Sequence, residues 1–411
     1  MIPVMRLTVL PQERFTCQCC AQCCHHWHVE LLDEERVRIA ALDWPQEHAD
    51  LRGLPFTQSI SGRAFLKHAP DGACVFLDRG TKLCRVHAAF GEPAKPLGCR
   101  LFPFSLTATF GDQVTVTARS DCPTVRANEG KPHAEHRADL QRLAAELKPR
   151  PFDARTLMGL ERLDVERMTQ FLADELEAVA SNDERALLFR YFLAYVAQRG
   201  EEPPRPERLR QWRATATELI DRAIDGYDDR PPPASAQIAF RSLLGVYLRR
   251  DEDVVDGRAG RWSRAWALFR LAAGRGSMRA LGVNHPEGDW RRAKLFEERM
   301  EPATPDALGP VWRVVVNRLR SLQFMGEAHA GADFIEGLSS LCLFYPLALA
   351  VAKYARAAAG RATVERADAA LGAQAIDHSF GRSKLLGTTS VRRNQDLVLQ
   401  PDPFARLVLS L

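Results

Sequence analysis

Nine of the ten cysteines in this 411-residue chain lie between Cys17 and Cys122. The first cluster reads CQCCAQCC, so Cys17, Cys20 and Cys23 are each separated by two residues and Cys24 follows directly. A C-x2-C step lets a tight turn direct two thiolates at one centre. Runs of such steps hold iron–sulfur clusters in ferredoxins, and single steps form half of many zinc sites. The spacing therefore predicts a metal site ligated by thiolates.

Four further cysteines follow at Cys74, Cys84, Cys99 and Cys122, the last directly before a proline, as in the closing ligand of ferredoxin runs. Adjacent cysteines cannot easily both face one small ion, so the neighbours at 23 and 24 either serve different centres or include one non-ligand. Of the nine cysteines between Cys17 and Cys122, eight remain when Cys19 is set aside. That number suits two four-thiolate sites, or one cluster and a reserve of thiols with another role.

The choice of metal rests on the spacing. The triple C-x2-C run, and the lack of two well-separated C-x2-C pairs typical of zinc ribbons, favour an iron–sulfur cluster of the 4Fe-4S type over zinc. A disulfide framework would need an oxidising compartment, and the N-terminus has no secretory signal. We therefore expect a cytoplasmic protein with reduced thiols. Cys342 stands alone in an apolar run and is expected to be an inert core residue.

The elements that must position these thiols are short. Up to about residue 130, Gly, Pro and Asp interrupt every periodic segment. We predict an edge strand within Met1–Leu10, a helix at Asp33–Leu42 and a hairpin that pairs Phe104–Phe110 with Gln113–Ala118. A loop-rich segment of this kind usually needs a staple such as a bound metal. Residues 1–130 are thus predicted to form a small, Cys-rich α+β metal-binding domain.

The pattern becomes helical after a linker at Ala127–Pro132. Residues 131–411 are predicted to form an all-helical domain, so the fold class is mainly α, and the stretch from Gly387 onward is predicted to be extended. The predicted helices are His136–Leu147, Glu161–Val179, Asn182–Gln198, Pro206–Ile224, Ala234–Arg249, Arg261–Ala273, Trp290–Arg299, Pro310–Phe324, Ala332–Ala359 and Thr363–Leu371.

Composition limits the partners. The net charge is only +4 and basic residues form no concentrated stripe, so no nucleic-acid partner is predicted. The longest apolar run, Leu338–Ala352, has 15 residues and includes Pro346, whereas a membrane span needs about 20. We therefore predict a buried helix there and no membrane partner. His378 follows Asp377 in the helical region and could be a carboxylate-oriented base, although a capping or surface role is more usual for such a histidine.

The order of the cysteine motifs over about residues 15–125 resembles that of the YkgJ-type cysteine-cluster family of zinc- or iron-chelating domains. The motifs are C-x2-C-x2-CC, CVFLD, LCRVHA-x-FG-x3-KP-x2-CR-x-FPF and CP. The resemblance does not require Cys19. The metal ligands that it implies are Cys17, Cys20, Cys23, Cys24, Cys74, Cys84, Cys99 and Cys122.

The longer architecture, a cysteine domain followed by helices, resembles flagellin lysine N-methylase. That resemblance implies a methyltransferase that uses S-adenosylmethionine and an iron–sulfur cluster and has flagellin as its protein partner. The residues themselves show no G-x-G-x-x-G after a strand and no C-x3-C-x2-C run, so no catalytic or donor-binding residue can be assigned. The alternative is a non-enzymatic zinc- or iron-chelating module, structural or redox-sensing, with a helical partner-binding domain.

Overall fold

The computed structural model describes residues 5–60, 62–198, 205–250, 258–281, 285, 288–298, 306–383 and 385–411. Helices make up 58% of the chain, and a small α+β unit with strands between residues 6 and 118 precedes them. The predicted fold class, mainly α with a small N-terminal α+β part, is therefore confirmed.

The strands of the N-terminal part form three small sheets. In the three-stranded sheet, β6 is central, with β1 parallel to it on one side and β5 antiparallel on the other. The predicted edge strand and the predicted hairpin are both confirmed. The strands are β1 (Arg6–Val9), β2 (Arg14–Phe15), β3 (Thr57–Ile60), β4 (Arg63–Leu66), β5 (Phe104–Ala108), β6 (Gln113–Ala118) and β7 (Lys131–Pro132).

The helices between these strands have eight residues or fewer. Helices this short are not stable alone in water, so tertiary contacts must hold them. Four of these five helices contain a cysteine or begin directly after one, so their placement decides where the thiols lie. They are α1 (Gln22–His26), α2 (Asp33–Ala40), α3 (Arg85–Phe90), α4 (Leu97–Leu101) and α5 (Pro123–Ala127).

Longer helices follow and build the main core, in which α15 is buried along most of its length. They are α6 (Arg137–Leu147), α7 (Ala154–Leu157), α8 (Arg162–Ala178), α9 (Asn182–Ala197), α10 (Pro206–Asp225), α11 (Ala234–Leu248), α12 (Arg258–Ala272), α13 (Gly309–Ser321), α14 (Phe334–Cys342), α15 (Phe344–Ala358), α16 (Arg366–Ser379), α17 (Thr389–Val398) and α18 (Pro401–Ser410).

The predicted helix Ala332–Ala359 is divided into α14 and α15 at Leu343. Pro346 lies in the first turn of α15, where its missing N–H would have no helical partner in any case. The segment Phe334–Ala358 is long and apolar enough to cross a membrane by length and composition alone, but 83% of its most apolar window is buried inside the protein. The prediction of a buried helix is confirmed.

Three predictions for the helical region are wrong. The helix predicted at Thr363–Leu371 begins at Arg366 and continues to Ser379 as α16. The stretch from Gly387 is helical, because the Thr388 hydroxyl accepts the Val391 N–H at the start of α17 and Pro401 opens α18. In the predicted helix Trp290–Arg299, the described residues form only one 3₁₀ turn, Trp290–Ala293, which ends at a left-handed Lys294. Residue 299 lies outside the described part.

Hydrogen bonds join the sheet to the helical body. The loop after α13 lies against β5 and β6: Thr115 Oγ1 donates to the Ser321 carbonyl at 2.6 Å, and Thr117 Oγ1 donates to Gln323 Oε1 at 2.6 Å. The Gln323 amide in turn donates to the Ser105 and Thr115 carbonyls, both at 3.1 Å. The buried amide side chain therefore fixes the two parts against each other.

Helix α6 packs on the other side of the small sheet. Its side chains Leu140, Leu143 and Ala144 belong to the same buried cluster as Val114 and Val116 of β6. The core around the sheet thus includes residues beyond the predicted linker. The boundary after residue 130 between a 1–130 and a 131–411 domain stays a prediction.

Candidate metal centre

The first cysteine loop is tightly wound. Cys19 and Ala21 both have left-handed backbone conformations, with φ of 51° and 62°, which is uncommon for residues other than glycine. Ala21 is buried, and its carbonyl accepts the N–H of Cys24 at 2.9 Å. This turn starts α1, which carries Cys23 and Cys24 into the protein while Cys17 and Cys20 stay exposed.

Three segments that are distant in sequence approach α1. The Cys74 N–H donates to the Cys24 carbonyl at 2.7 Å, so these two cysteines are backbone neighbours. Cys84 pairs with Leu77 in an isolated β-bridge and begins α3, and Cys99 lies in the middle of α4. Residues spread over more than seventy positions are thereby brought to one place.

The pKa values of the thiols show which of them interact. Burial raises the pKa of Cys74 to about 12, and the charges of Cys84 and Cys23 contribute to the increase. Burial, together with the charges of Cys74, Cys84 and Cys23, also raises the pKa of Cys99 well above its usual range. A hydrogen bond with Cys24, and then burial, raise the pKa of Cys23. We call Cys23, Cys24, Cys74, Cys84 and Cys99 the inner thiol group.

The remaining cysteines of the N-terminal part form an outer thiol group: Cys17, Cys19, Cys20 and Cys122. The charge of Cys17, then burial, raises the pKa of Cys19. Cys122 is buried at the start of α5, where burial and the charge of Cys20 raise its pKa. The outer group therefore brings a cysteine of the first loop beside one that is more than a hundred positions away.

Thiols whose charges raise each other's pKa need a cation to become thiolates together. A bound metal supplies that charge, and soft thiolate ligands suit zinc, iron and iron–sulfur clusters. In the part of the chain that the structure describes, no three Cys, His, Asp or Glu side chains already have the geometry to hold one metal ion. All ten cysteines are free thiols. The donor types and their convergence fit a metal, and the thiols must move closer together to bind it.

A basic residue lies beside the inner group, and it is not one of the two arginines that directly follow a cysteine. Lys95 lowers the pKa of Cys23 and Cys99, which places a cation beside the inner group. Arg85, which directly follows a cysteine, instead forms an ion pair with Asp50. Arg100, in the same position after another cysteine, pairs with carboxylates as well. Sequence adjacency to a cysteine was therefore a poor guide to the counter-charges.

A buried charged cluster next to Cys122 was also not predicted as a unit. Arg119 Nη2 donates to Asp121 Oδ2 at 2.6 Å, and His378 Nδ1 donates to the other oxygen, Oδ1, at 2.8 Å. Burial alone would raise the pKa of Asp121, but His378 and Arg119 hold it well below its usual range. His378 is thus oriented by a carboxylate, yet by Asp121 and not by its sequence neighbour.

That neighbour, Asp377, joins the same cluster from the helical side. It forms a buried ion pair with Arg318 and accepts the N–H of Ser120 at 2.9 Å. The sequence signal for this charged cluster is weak: Asp121 directly precedes a cysteine, and Asp377 directly precedes His378. Cys342 is buried in the helical core, where burial raises its pKa to about 12, as expected of an inert thiol.

Residues 16–123 match the model of the CxxCxxCC family, described as a "Putative zinc- or iron-chelating domain". The match covers both thiol groups and supports the resemblance to the cysteine-cluster family. Neither the search of curated proteins nor the search of solved structures gave a match for the chain. The family match extends to neither the helical body nor a methylase architecture.

Proposed function

We propose that residues 16–123 hold a metal centre ligated by four members of the inner thiol group, Cys23, Cys74, Cys84 and Cys99, and that this centre is an iron–sulfur cluster. The observation that carries the proposal is a convergence of thiols from separate points of the chain. The Cys74 N–H donates to the Cys24 carbonyl, and the charges of Cys23 and Cys84 act on both Cys74 and Cys99. Four thiolates are the number that a 4Fe-4S cluster or a structural zinc ion takes.

The inner group suits this role better than the outer group. Its members are buried or half-buried, whereas Cys17, Cys19 and Cys20 are exposed. Burial excludes water from the metal–thiolate bonds, and Lys95 offsets part of the negative charge that four thiolates would bring. We assign the exposed Cys17 and Cys20, together with the buried Cys122, to a second set of ligands, and Cys24 to a hydrogen bond with Cys23.

The choice between iron and zinc rests on the C-x2-C-x2-C run, which is typical of iron–sulfur ligation. Protein purified under argon is expected to contain iron and acid-labile sulfide in a one-to-one ratio and to absorb broadly in the visible range. Stoichiometric zinc without iron would instead select the zinc-chelating alternative.

The ligand assignment is tested with Cys99→Ser, which is expected to remove most of the bound metal because one inner thiolate is lost. Cys342→Ser is the matched control: it removes a buried thiol far from both groups and should leave the metal content unchanged. Full metal content in Cys99→Ser, at a metal-to-protein ratio equal to that of the control, would contradict the assignment. The same measurement on Cys17→Ser reports on the outer group.

A second candidate function is the S-adenosylmethionine-dependent methylation of a flagellin lysine. The supporting observation is a cavity of about 470 Å³ between the cysteine-rich part and the helices, large enough for a cofactor of that size. Incubation with a methyl-labelled donor and flagellin tests it. Absence of both methyl transfer and donor binding would leave the metal-binding module, with a structural or redox-sensing role in the cytoplasm, as the proposed function.

A further inference from the structure

Two cavities separate the N-terminal part from the helical body. One, of about 410 Å³, lies between the sheet and α13, and the other, of about 470 Å³, lies between the segment that follows α1, strand β4 and the end of α16. Arg119 and Arg382 line both. The two cavities therefore meet at a pair of guanidinium groups, one contributed by each part of the protein.

The arginines at this meeting point differ in their partners. Arg119 pairs with Asp121 and Arg318 pairs with Asp377. Within the described residues, Arg382 forms no ion pair; its Nη1 donates to the backbone carbonyl of His378 at 2.9 Å. Of these three guanidiniums, Arg382 alone thus has no carboxylate partner among the described residues, so it is the one whose charge an added anion can neutralise.

This guanidinium is accessible from the cavities. Arg382 is exposed and borders the open space of both cavities. Arg119 uses its Nε and Nη2 groups for Asp121, and no described residue accepts from its Nη1. Each arginine therefore retains N–H donors that can point into the larger cavity.

We propose that the 470 Å³ cavity binds a small organic anion, whose carboxylate or phosphate group accepts hydrogen bonds from Arg382 and Arg119. Guanidinium groups bind both kinds of oxyanion through paired N–H donors. Trp27 and Phe65 line the same cavity and provide apolar surface for the rest of the molecule. The volume lies within the range of small-molecule sites and is too small for a folded partner.

The site would lie next to the metal centre. Gly98, which precedes Cys99, lines this cavity, and so does Trp27, three residues after Cys24. The ring of Trp27 is held between Phe102, at 4.5 Å between ring centroids, and the Arg119 guanidinium, at 4.9 Å. A bound anion would therefore contact residues that are directly connected to the inner thiol group.

The experiment uses the full chain, purified with its own metal in chloride buffer. Inorganic phosphate and acetate are added separately at matched ionic strength, with sodium chloride as the reference, and the unfolding midpoint and equilibrium dialysis binding are measured. We expect at least one oxyanion to raise the midpoint beyond the chloride reference, because a ligand that binds only the folded state stabilises it. The phosphate and acetate arms distinguish the two kinds of ligand.

Arg382→Gln is expected to weaken oxyanion binding by about tenfold or more, since a charge-assisted hydrogen bond is lost. The same change should leave the midpoint in chloride close to wild type, because Arg382 is exposed and pairs with no described carboxylate. Arg36→Gln, at an exposed arginine on α2 that is already paired with Asp33, is the control and should bind like wild type. If Arg382→Gln does not fold, Arg382→Lys keeps the charge without the fork of donors and should bind more weakly than wild type.

Several results would overturn the proposal. One is a wild-type midpoint and dialysis profile that are the same in phosphate, acetate and chloride. Another is an Arg382→Gln or Arg382→Lys protein with wild-type oxyanion affinity. A lower midpoint for Arg382→Gln in chloride, with the oxyanion increment intact, would show a purely structural role. Metal content is measured in the same samples, so failure of this site is distinguishable from failure of the metal centre.

Discussion

The buried ion pair between Arg318 of α13 and Asp377 of α16 offers a quantitative test of what stabilises the helical body where it contacts the N-terminal part. The side chain of Arg318 is 12% exposed and that of Asp377 is 5% exposed, so water screens the pair poorly. Asp377→Asn keeps the size of the side chain and an oxygen that can accept the Ser120 N–H. What it removes is the negative charge opposite the Arg318 guanidinium.

Removing one partner of a buried pair leaves the other charge uncompensated, which typically costs about 3–5 kcal/mol. A folded domain has only about 5–15 kcal/mol of stability, so the loss should be large. The free energy of unfolding is measured by urea titration of the metal-loaded protein, followed by far-UV circular dichroism. Asp402→Asn is the control, because its pair with Arg406 is exposed and should contribute less than about 1 kcal/mol.

A replacement of both partners separates the charge effect from packing. Arg318→Met combined with Asp377→Leu removes the pair without leaving a lone charge, and it should be less destabilised than Asp377→Asn alone. The reasoning fails if Asp377→Asn is no less stable than Asp402→Asn, or if the double replacement loses as much stability as the single one.

The pH dependence of the same comparison has a definite sign. Burial alone would raise the pKa of Asp377, but the charge of Arg318 lowers it below its usual value. A carboxylate with a lowered pKa in the folded state stabilises the fold above its unfolded pKa of about 3.9. That contribution is lost as the pH falls through the folded-state pKa. The difference between wild type and Asp377→Asn should therefore be constant from pH 5 to 8 and shrink in stronger acid.

Two further predictions concern the helical core. Gly372→Ala should lower the unfolding midpoint by an amount equivalent to about 1–3 kcal/mol, because a Cβ there would lie 2.2 Å from the Ala348 carbonyl oxygen, where α16 meets α15. In an open helix, Gly→Ala raises the midpoint instead, and such a rise here would refute the contact. Burial lowers the pKa of His329 to about 3, so this histidine stays neutral in the folded protein while in the unfolded chain it takes up a proton below about pH 6.5. His329→Phe should therefore reduce the loss of stability that occurs as the pH falls from 6.5 toward 4. His87→Gln, at an exposed histidine, is the control, and an acid profile of His329→Phe identical to that of wild type would contradict the assignment.

Much of the architecture was predictable because its signals are local. Helical periodicity located α8 to α11 within one or two residues at each end, and the alternation in Gln113–Ala118 located β6. Capping chemistry is equally local, and neglecting it produced the main error: Thr388 and Pro401 begin two helices in a stretch predicted to be extended. Such errors concern signals that were present in the sequence.

The amino-acid order by itself determined that the first part of the chain carries a thiol-rich, zinc- or iron-chelating type of domain, because C-x2-C spacing is a property of neighbouring residues. Tertiary structure alone decided which thiols meet, that Asp121 and not Asp377 contacts His378, and that Arg382 lies between two cavities with no carboxylate partner among the residues that the structure describes. Residues 121 and 378 are 257 positions apart. Contacts of this kind depend on how helices and sheet pack over the whole chain, and no local pattern encodes them.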